Sequence, residues 1–207
     1  MTTDEATVYI VDDDEGARSS VKALARSMGV RAEVFPSAEK FLEHYDPRQP
    51  GCLVTDLRML GMSGMELQEK LAVDGILIPV IIITAHAETS LTVSAVKRGA
   101  VNVLEKPCRD YELFDAIRDA LAQDEEARLQ AAKQREFEAR FSTLSKDEQR
   151  VLELMTEGTA NKVIARRLEV SIRTVENRRQ RIFAKTGAKS LAELIRFVVE
   201  MRSFSRD

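Results

Sequence analysis

The sequence predicts an α/β doubly wound, five-stranded parallel sheet followed by a small all-α domain of four helices. Two observations predict it: β-branched runs alternate with helical periodicity up to residue 121, and only helical segments follow residue 145. Strict alternation of strand and helix implies a parallel sheet covered on both faces, because each crossover has to pass over one face. At 207 residues, two small domains and a linker fit better than one large domain.

Residues 8–11, 32–35, 52–55, 80–83 and 101–104 are the expected strands, rich in Val and Ile. Residues 15–28, 38–45, 64–73 and 88–98 carry apolar side chains at three- and four-residue spacing, and a fifth helix follows Pro107. Residues 122–140 contain neither Gly nor Pro and are rich in Ala, Glu, Gln, Arg and Lys, so that helix is expected to run on as a semi-rigid linker. Its thin apolar stripe of Leu121, Leu129, Ala132, Phe137 and Phe141 suits a solvated helix and a coiled-coil dimer seam equally. Residues 145–157, 160–168, 171–186 and 190–203 then read as helices punctuated by Gly158 and Gly187. The expected divisions are a first domain over 1–121, a linker over 122–141 and a second domain over 142–207.

The whole chain carries a net charge of −3, but residues 1–121 hold 13 Lys/Arg against 20 Asp/Glu, a net of −7, and residues 142–207 hold 14 against 9, a net of +5. A basic second part points to a polyanionic partner for it. No apolar run approaches the roughly 20 residues needed to span a bilayer. The opening Met1-Thr2-Thr3-Asp4-Glu5 is acidic where a secretory signal would be basic, so a cytoplasmic protein without a membrane partner is expected. Cys52 and Cys108, with only His44 and His86 to help, form no metal-ligand spacing, which argues against a structural zinc or a disulfide.

In such a sheet, ligands collect at the carboxyl ends of the strands. Asp12 and Asp13 close the first strand and Asp56 closes the third. Three carboxylates converging there repel one another unless a hard divalent cation sits among them, and Mg2+ suits a site with few carboxylates and retained waters. Thr84 ends the fourth strand and Lys106 the fifth. A hydroxyl and an ammonium facing a metal-bound carboxylate make a pocket for a phosphoryl group.

The segments Val11-Asp12-Asp13, Thr55-Asp56-Leu57-Arg58-Met59, Ile83-Thr84-Ala85 and Lys106-Pro107, in that order, resemble the receiver domain of two-component response regulators over residues 6–121. The resemblance implies a flavodoxin-like fold in which Asp56 is the nucleophile that accepts phosphate from the phosphohistidine of a sensor histidine kinase. It also implies that Asp12, Asp13, Asp56 and the backbone carbonyl of Arg58 hold Mg2+, and that Lys106 pairs with the phosphoryl oxygens. Thr84 would swing to hydrogen-bond them and carry the switch, and the peptide before Pro107 would be cis.

Three positions depart from the family's pattern: Leu60 replaces the usual Pro, Val103 the usual switch Tyr or Phe, and Cys108 a common Phe. Val103 cannot rotate as an aromatic switch does, so coupling through Thr84 is expected to differ. Arg58 and His86 lie two residues beyond Asp56 and Thr84 and are expected to flank the path of attacking water; for His86, an exposed loop residue is the equal alternative. Asp56-Leu57-Arg58 lacks the Asp-x-Asp pattern of aspartyl-phosphate hydrolases, so a non-enzymatic regulator is expected, apart from phosphotransfer to and hydrolysis from Asp56.

In the second part, Ser145 and Glu148 form a capping-box pattern that starts a helix near residue 146. A short helix packed through Val163, Ile164 and Leu168 follows, then a tight turn and a helix capped by Ser171, which is helix-turn-helix spacing. On that last helix Val175, Ile182 and Phe183 form the inward stripe, while Thr174, Asn177, Arg178, Arg181 and Lys185 make a cationic outward face suited to phosphates and base edges. Asn161-Lys162, Ile164-Ala165, Ser171, Thr174-Val175-Glu176 and Lys185 resemble the LuxR, NarL and FixJ class of DNA-binding regulators.

By that resemblance Glu176, Asn177 and Gln180 read bases, whereas Thr174, Arg178, Arg181 and Lys185 hold phosphates. Arg178 departs from the usual His. The implied mechanism is phosphorylation at Asp56, rearrangement of the face formed by residues 88–98, the fifth strand and the fifth helix, and homodimerisation on DNA half-sites, with RNA polymerase as a further partner. The alternative is a phosphorylation-independent DNA-binding regulator with a degenerate receiver, to which Leu60 and Val103 lend weight.

Overall fold

Five strands, β1 (Thr7–Val11), β2 (Arg31–Phe35), β3 (Gly51–Asp56), β4 (Val80–Thr84) and β5 (Ala100–Glu105), form one sheet in the order β2-β1-β3-β4-β5. Every neighbouring pair is parallel, with one register irregularity between Val80 and Ile81 where β4 meets β5. The structure, a computed structural model, describes residues 6–85, 95 and 98–204, the last four through their backbone alone. The expected helix over 88–98 therefore lies almost wholly outside the described residues, as does His86.

The period of two along each strand builds two cores. Val8, Ile10, Cys52, Val54, Ile81 and Ile83 face helix α1 (Glu15–Ser27) and the start of helix α4 (Asp110–Ser142), meeting Val21, Ala25, Leu113 and Ile117. Tyr9, Val11, Leu53, Val80 and Ile82 face helices α2 (Ala38–His44) and α3 (Gly64–Val73), meeting Phe41, Leu67 and Leu71. Asp14, Ser37 and Ser63 cap α1, α2 and α3, Ser63 in a capping box with Glu66. These caps supply acceptors that the first-turn amides lack, and each fixes where the chain leaves a strand-end loop.

The chain divides into two compact units, the first ending at Arg128 and the second starting at Leu129. Helix α4 runs without a break through that point, so the residues expected as a linker are helical. Its apolar stripe has divided uses: Leu121 packs on the first unit's core, Phe137 and Phe141 on the second's, and Leu129 stays exposed. Within the first unit, buried Asp124 accepts a hydrogen bond from Gly51 N at 2.9 Å and one from Arg128 Nε at 2.7 Å. Arg128 also donates to the carbonyls of Pro47, Arg48 and Gln49 at 2.5–3.2 Å, which fastens α4 to the loop entering β3.

The second unit packs the end of α4 with α5 (Lys146–Thr156), α6 (Asn161–Arg167), α7 (Ile172–Thr186) and α8 (Leu191–Phe204) around Val151, Met155, Ile164, Val175, Ile182 and Leu194. Ser145 and Glu148 close the expected capping box, Ser171 caps α7, and left-handed Gly187 ends α7 at φ 74°. Val163 differs from expectation: it is exposed, and Ala165 takes the buried place beside Ile164. At about 100° per residue the inward arc of α6 holds Ile164 and Ala165 and leaves the residue before them, Val163, and the residue after them, Arg166, on the outer side.

Candidate functional site

The strand order places the carboxyl ends of β1 and β3 side by side, at the point where the chain's progress across the sheet reverses. Asp12, just past β1, and Asp56, at the end of β3, are both buried there. Lys106, just past β5, reaches across β4 and donates from Nζ to Asp12 Oδ2 at 2.8 Å and to Asp56 Oδ1 at 2.5 Å. Burial alone would push the ammonium's pKa down, but its hydrogen bonds and charge pairing with the two carboxylates hold it above the usual lysine value. The backbone N–H of Lys106 donates to Thr84 O at 2.7 Å, so the lysine and the buried threonine are fixed together; Lys106-Pro107 is a cis peptide.

The remaining oxygens of these carboxylates also have donors. Asp12 Oδ1 accepts from Asp14 N at 2.8 Å, and Asp56 Oδ2 accepts from Arg58 N at 2.7 Å. Arg18, which nothing in the sequence marks, donates to the Asp12 carbonyl at 2.6 Å. Asp13 has a partner of its own: its Oδ2 accepts from the backbone N–H of Leu60 at 3.2 Å, a donor that a proline at that position would lack. Val103 is half-buried against the core that α2 and α3 share, whereas Leu60 is 82% exposed.

Among the described residues, no three His, Cys, Asp or Glu side chains are gathered into a ready metal site. The donor chemistry nevertheless fits a hard divalent ion, since two buried carboxylates already converge on one cation and a third adjoins them in sequence. Of the residues expected at the site, the fold brings together Asp12, Asp56, Lys106 and the backbone of Thr84, while Asp13 Oδ2 is held by the Leu60 amide and His86 is outside the described residues.

On α7, Glu176, Asn177, Gln180 and Arg181 are exposed, while Val175 and Ile182 are buried. Three of the expected phosphate contacts have partners inside the unit, the first being the Thr174 hydroxyl, which shares a hydrogen bond of 2.8 Å with that of Ser171. Lys185 Nζ donates to Thr143 O at 2.9 Å and to buried Glu148 Oε2 at 2.7 Å, and Arg178 Nη2 donates to Asp147. The Lys185 hydrogen bond and the Ser145 amide hold Glu148 below the usual glutamate pKa. Glu148 is legible as a capping residue, but its pairing with Lys185, and that of Asp147 with Arg178, depends on how α5 packs on α7.

Residues 8–118 match the response regulator receiver domain, and residues 142–198 match the bacterial regulatory proteins of the luxR family. The chain belongs to the response regulators. This response regulator is 37% identical over 202 residues to the response regulator protein TmoT of Ectopseudomonas mendocina, covering 98% of this chain and 92% of TmoT. It is also 37% identical over 199 residues to the transcriptional regulatory protein FixJ of Bradyrhizobium diazoefficiens, covering 96% and 97%. Among solved structures, the response regulator StyR superposes with a TM-score of 0.88 at 43% identity over 95% of this chain and 99% of that one. With a receiver and a LuxR-type DNA-binding domain, the response regulator acts in two-component regulation of transcription. Among its described residues, no helix is long and apolar enough to cross a membrane.

Proposed function

We propose that a sensor histidine kinase passes a phosphoryl group to Asp56, and that this phosphorylation controls dimerisation and sequence-specific DNA binding in the cytoplasm. The observation that carries the reading is the Lys106 ammonium joined to both Asp12 and Asp56 at the carboxyl edge of the sheet. An Asp56 carboxylate oxygen forms the new P–O bond as the P–N bond of the phosphohistidine breaks, and the imidazole leaves with a proton. Lys106 then pairs with the phosphoryl oxygens, and Thr84, buried at the end of β4, hydrogen-bonds them as the switch. Asp12, Asp13, Asp56 and the Arg58 carbonyl would hold Mg2+, which supplies charge neutralisation when bound.

The receiver is assigned to residues 1–121, the helical linker to 122–141 and the DNA-binding domain to 142–207. Glu176, Asn177 and Gln180 read base edges, and Thr174, Arg178 and Arg181 hold phosphates. Lys185, bonded to Glu148 and Thr143, serves the packing of α5 on α7 before it serves DNA. A homodimer would place two α7 helices on neighbouring half-sites, within reach of RNA polymerase.

The test is intact mass and oligomeric state after treatment with Mg2+ and acetyl phosphate, comparing the wild type with Asp56→Asn. A phosphoryl adduct confined to the wild type, with dimer formation, is expected. An adduct without a change in assembly would replace dimerisation by unmasking within a monomer. No adduct would favour a phosphorylation-independent DNA-binding regulator, the reading that Val103, packed into the core where an aromatic switch is usual, supports.

A further inference from the structure

Arg178 is the residue of α7 that departs from the DNA-binding family's pattern, and its charge, like that of Lys185, is already answered inside the fold. Its guanidinium, with a side chain only 19% exposed, donates to Asp147 in the first turn of α5. Asp147 itself is 53% exposed at the side chain. The pair lies in a cleft of about 250 Å3 whose lining also includes Arg150 of α5, Arg167 of α6, and Glu169 and Val170 in the turn before α7. Three arginines from three helices thus line one concavity together with Asp147 and Glu169, beside the recognition helix.

We infer that Asp147 is an internal competitor for the DNA backbone, holding Arg178 as a phosphate would until a phosphate replaces it. The inference rests on the reading of Arg178 as a phosphate contact. A carboxylate and a phosphate offer the guanidinium the same planar pair of acceptor oxygens, so one displaces the other at Arg178 without a new fold. The first turn of α5 favours an anion electrostatically, which suits Asp147 in the free protein. When Arg178 turns to DNA, Arg150, three residues on from Asp147 along α5 and lining the same cleft, remains beside the carboxylate, while Arg167 pairs with Glu157. DNA affinity is therefore set below what the cationic face alone would give, by the cost of separating one partly exposed ion pair.

The test uses the full chain at low ionic strength and a short fluorescein-labelled duplex of mixed sequence, followed by anisotropy with and without acetyl phosphate. Asp147→Asn is expected to tighten binding by about threefold, the range that separates a partly exposed ion pair from none. Arg178→Ala is expected to weaken binding and lower the salt slope by about one. In the Arg178→Ala background, Asp147→Asn should have no further effect. Glu169→Gln, which removes a carboxylate from the same cleft without touching the pair, should change affinity less than Asp147→Asn.

Unchanged or weaker binding by Asp147→Asn, including equal absence of binding by both proteins, overturns the competition. An equal gain from Glu169→Gln, or a gain that persists without Arg178, overturns it too, because either outcome is general charge removal. If Arg178→Ala leaves both affinity and salt slope unchanged, the reading of Arg178 as a phosphate contact is what fails.

Discussion

Gly64 opens α3 against the backbone of Asp56, so close that a Cβ at Gly64 would stand 2.3 Å from the Asp56 carbonyl oxygen and 3.1 Å from Thr55 Cγ2. Gly64 N donates to Leu57 O at 3.1 Å and Leu57 N to Ile83 O at 2.9 Å, so the loop after Asp56 closes tightly on itself. Backbone, unlike the end of a flexible side chain, has no easy way to give. Gly64→Ala should therefore displace the start of α3 or the carbonyl of Asp56. The expected cost is about 1–3 kcal/mol in urea unfolding, with slower phosphoryl uptake from acetyl phosphate. A variant with wild-type stability and uptake would mean that the loop yields freely.

Leu60 contributes an N–H to Asp13 where the family's usual proline has none. Leu60→Pro removes that exposed hydrogen bond and frees the Asp13 carboxylate. Since such a bond is worth about 0.5 kcal/mol, Mg2+ affinity measured by calorimetry should rise about twofold. An unchanged or lower affinity would show that the Leu60 amide does not restrain Asp13.

Glu148 ties the second unit's stability to pH. Its pKa lies below the usual 4.5, chiefly through the Lys185 hydrogen bond and then the Ser145 amide. A depressed carboxyl pKa contributes stability that is fully present above the unfolded value and is lost as pH falls through the folded one. Helical signal from the second unit should weaken on acidification below about pH 4.5, less steeply in Glu148→Gln. At neutral pH that variant should be less stable by about 0.5–1.5 kcal/mol, because its amide oxygen can keep both hydrogen bonds but not the charge that strengthens them. Parallel pH profiles for the two proteins would remove Glu148 from the account.

Asp124 and Gly51, 73 residues apart, meet in a buried hydrogen bond beside the Arg128 clamp. Asp124→Ala leaves the Gly51 amide and the Arg128 guanidinium without that acceptor, at a cost of about 2–4 kcal/mol. Hydrogen exchange should accelerate at the Gly51 amide and along α4 near Arg128, more than at the amides of β1. Exchange at Gly51 that stays as slow as in the wild type would mean that another acceptor takes over.

Much of this protein is written locally. Strand and helix alternate because β-branched runs and amphipathic periodicity alternate, and a parallel sheet built that way brings the strand ends of Asp12, Asp56, Thr84 and Lys106 to one edge. The Ser145–Glu148 capping box and the Ser171 cap were equally legible, since a cap and its partner lie within one turn.

The pairings between distant side chains come from packing: Lys106 with both carboxylates, Asp13 with the Leu60 amide, Arg128 with three carbonyls, Lys185 with Glu148 and Arg178 with Asp147. Sequence periodicity says which face of an element is apolar and which is charged. It does not say which opposite charge the packing will set against it, because that depends on the rotation and separation of two elements far apart in the chain. The residue types at Asp56 and along α7 were therefore set by the sequence alone, whereas the partner each charge holds in the folded protein was set by how the elements pack.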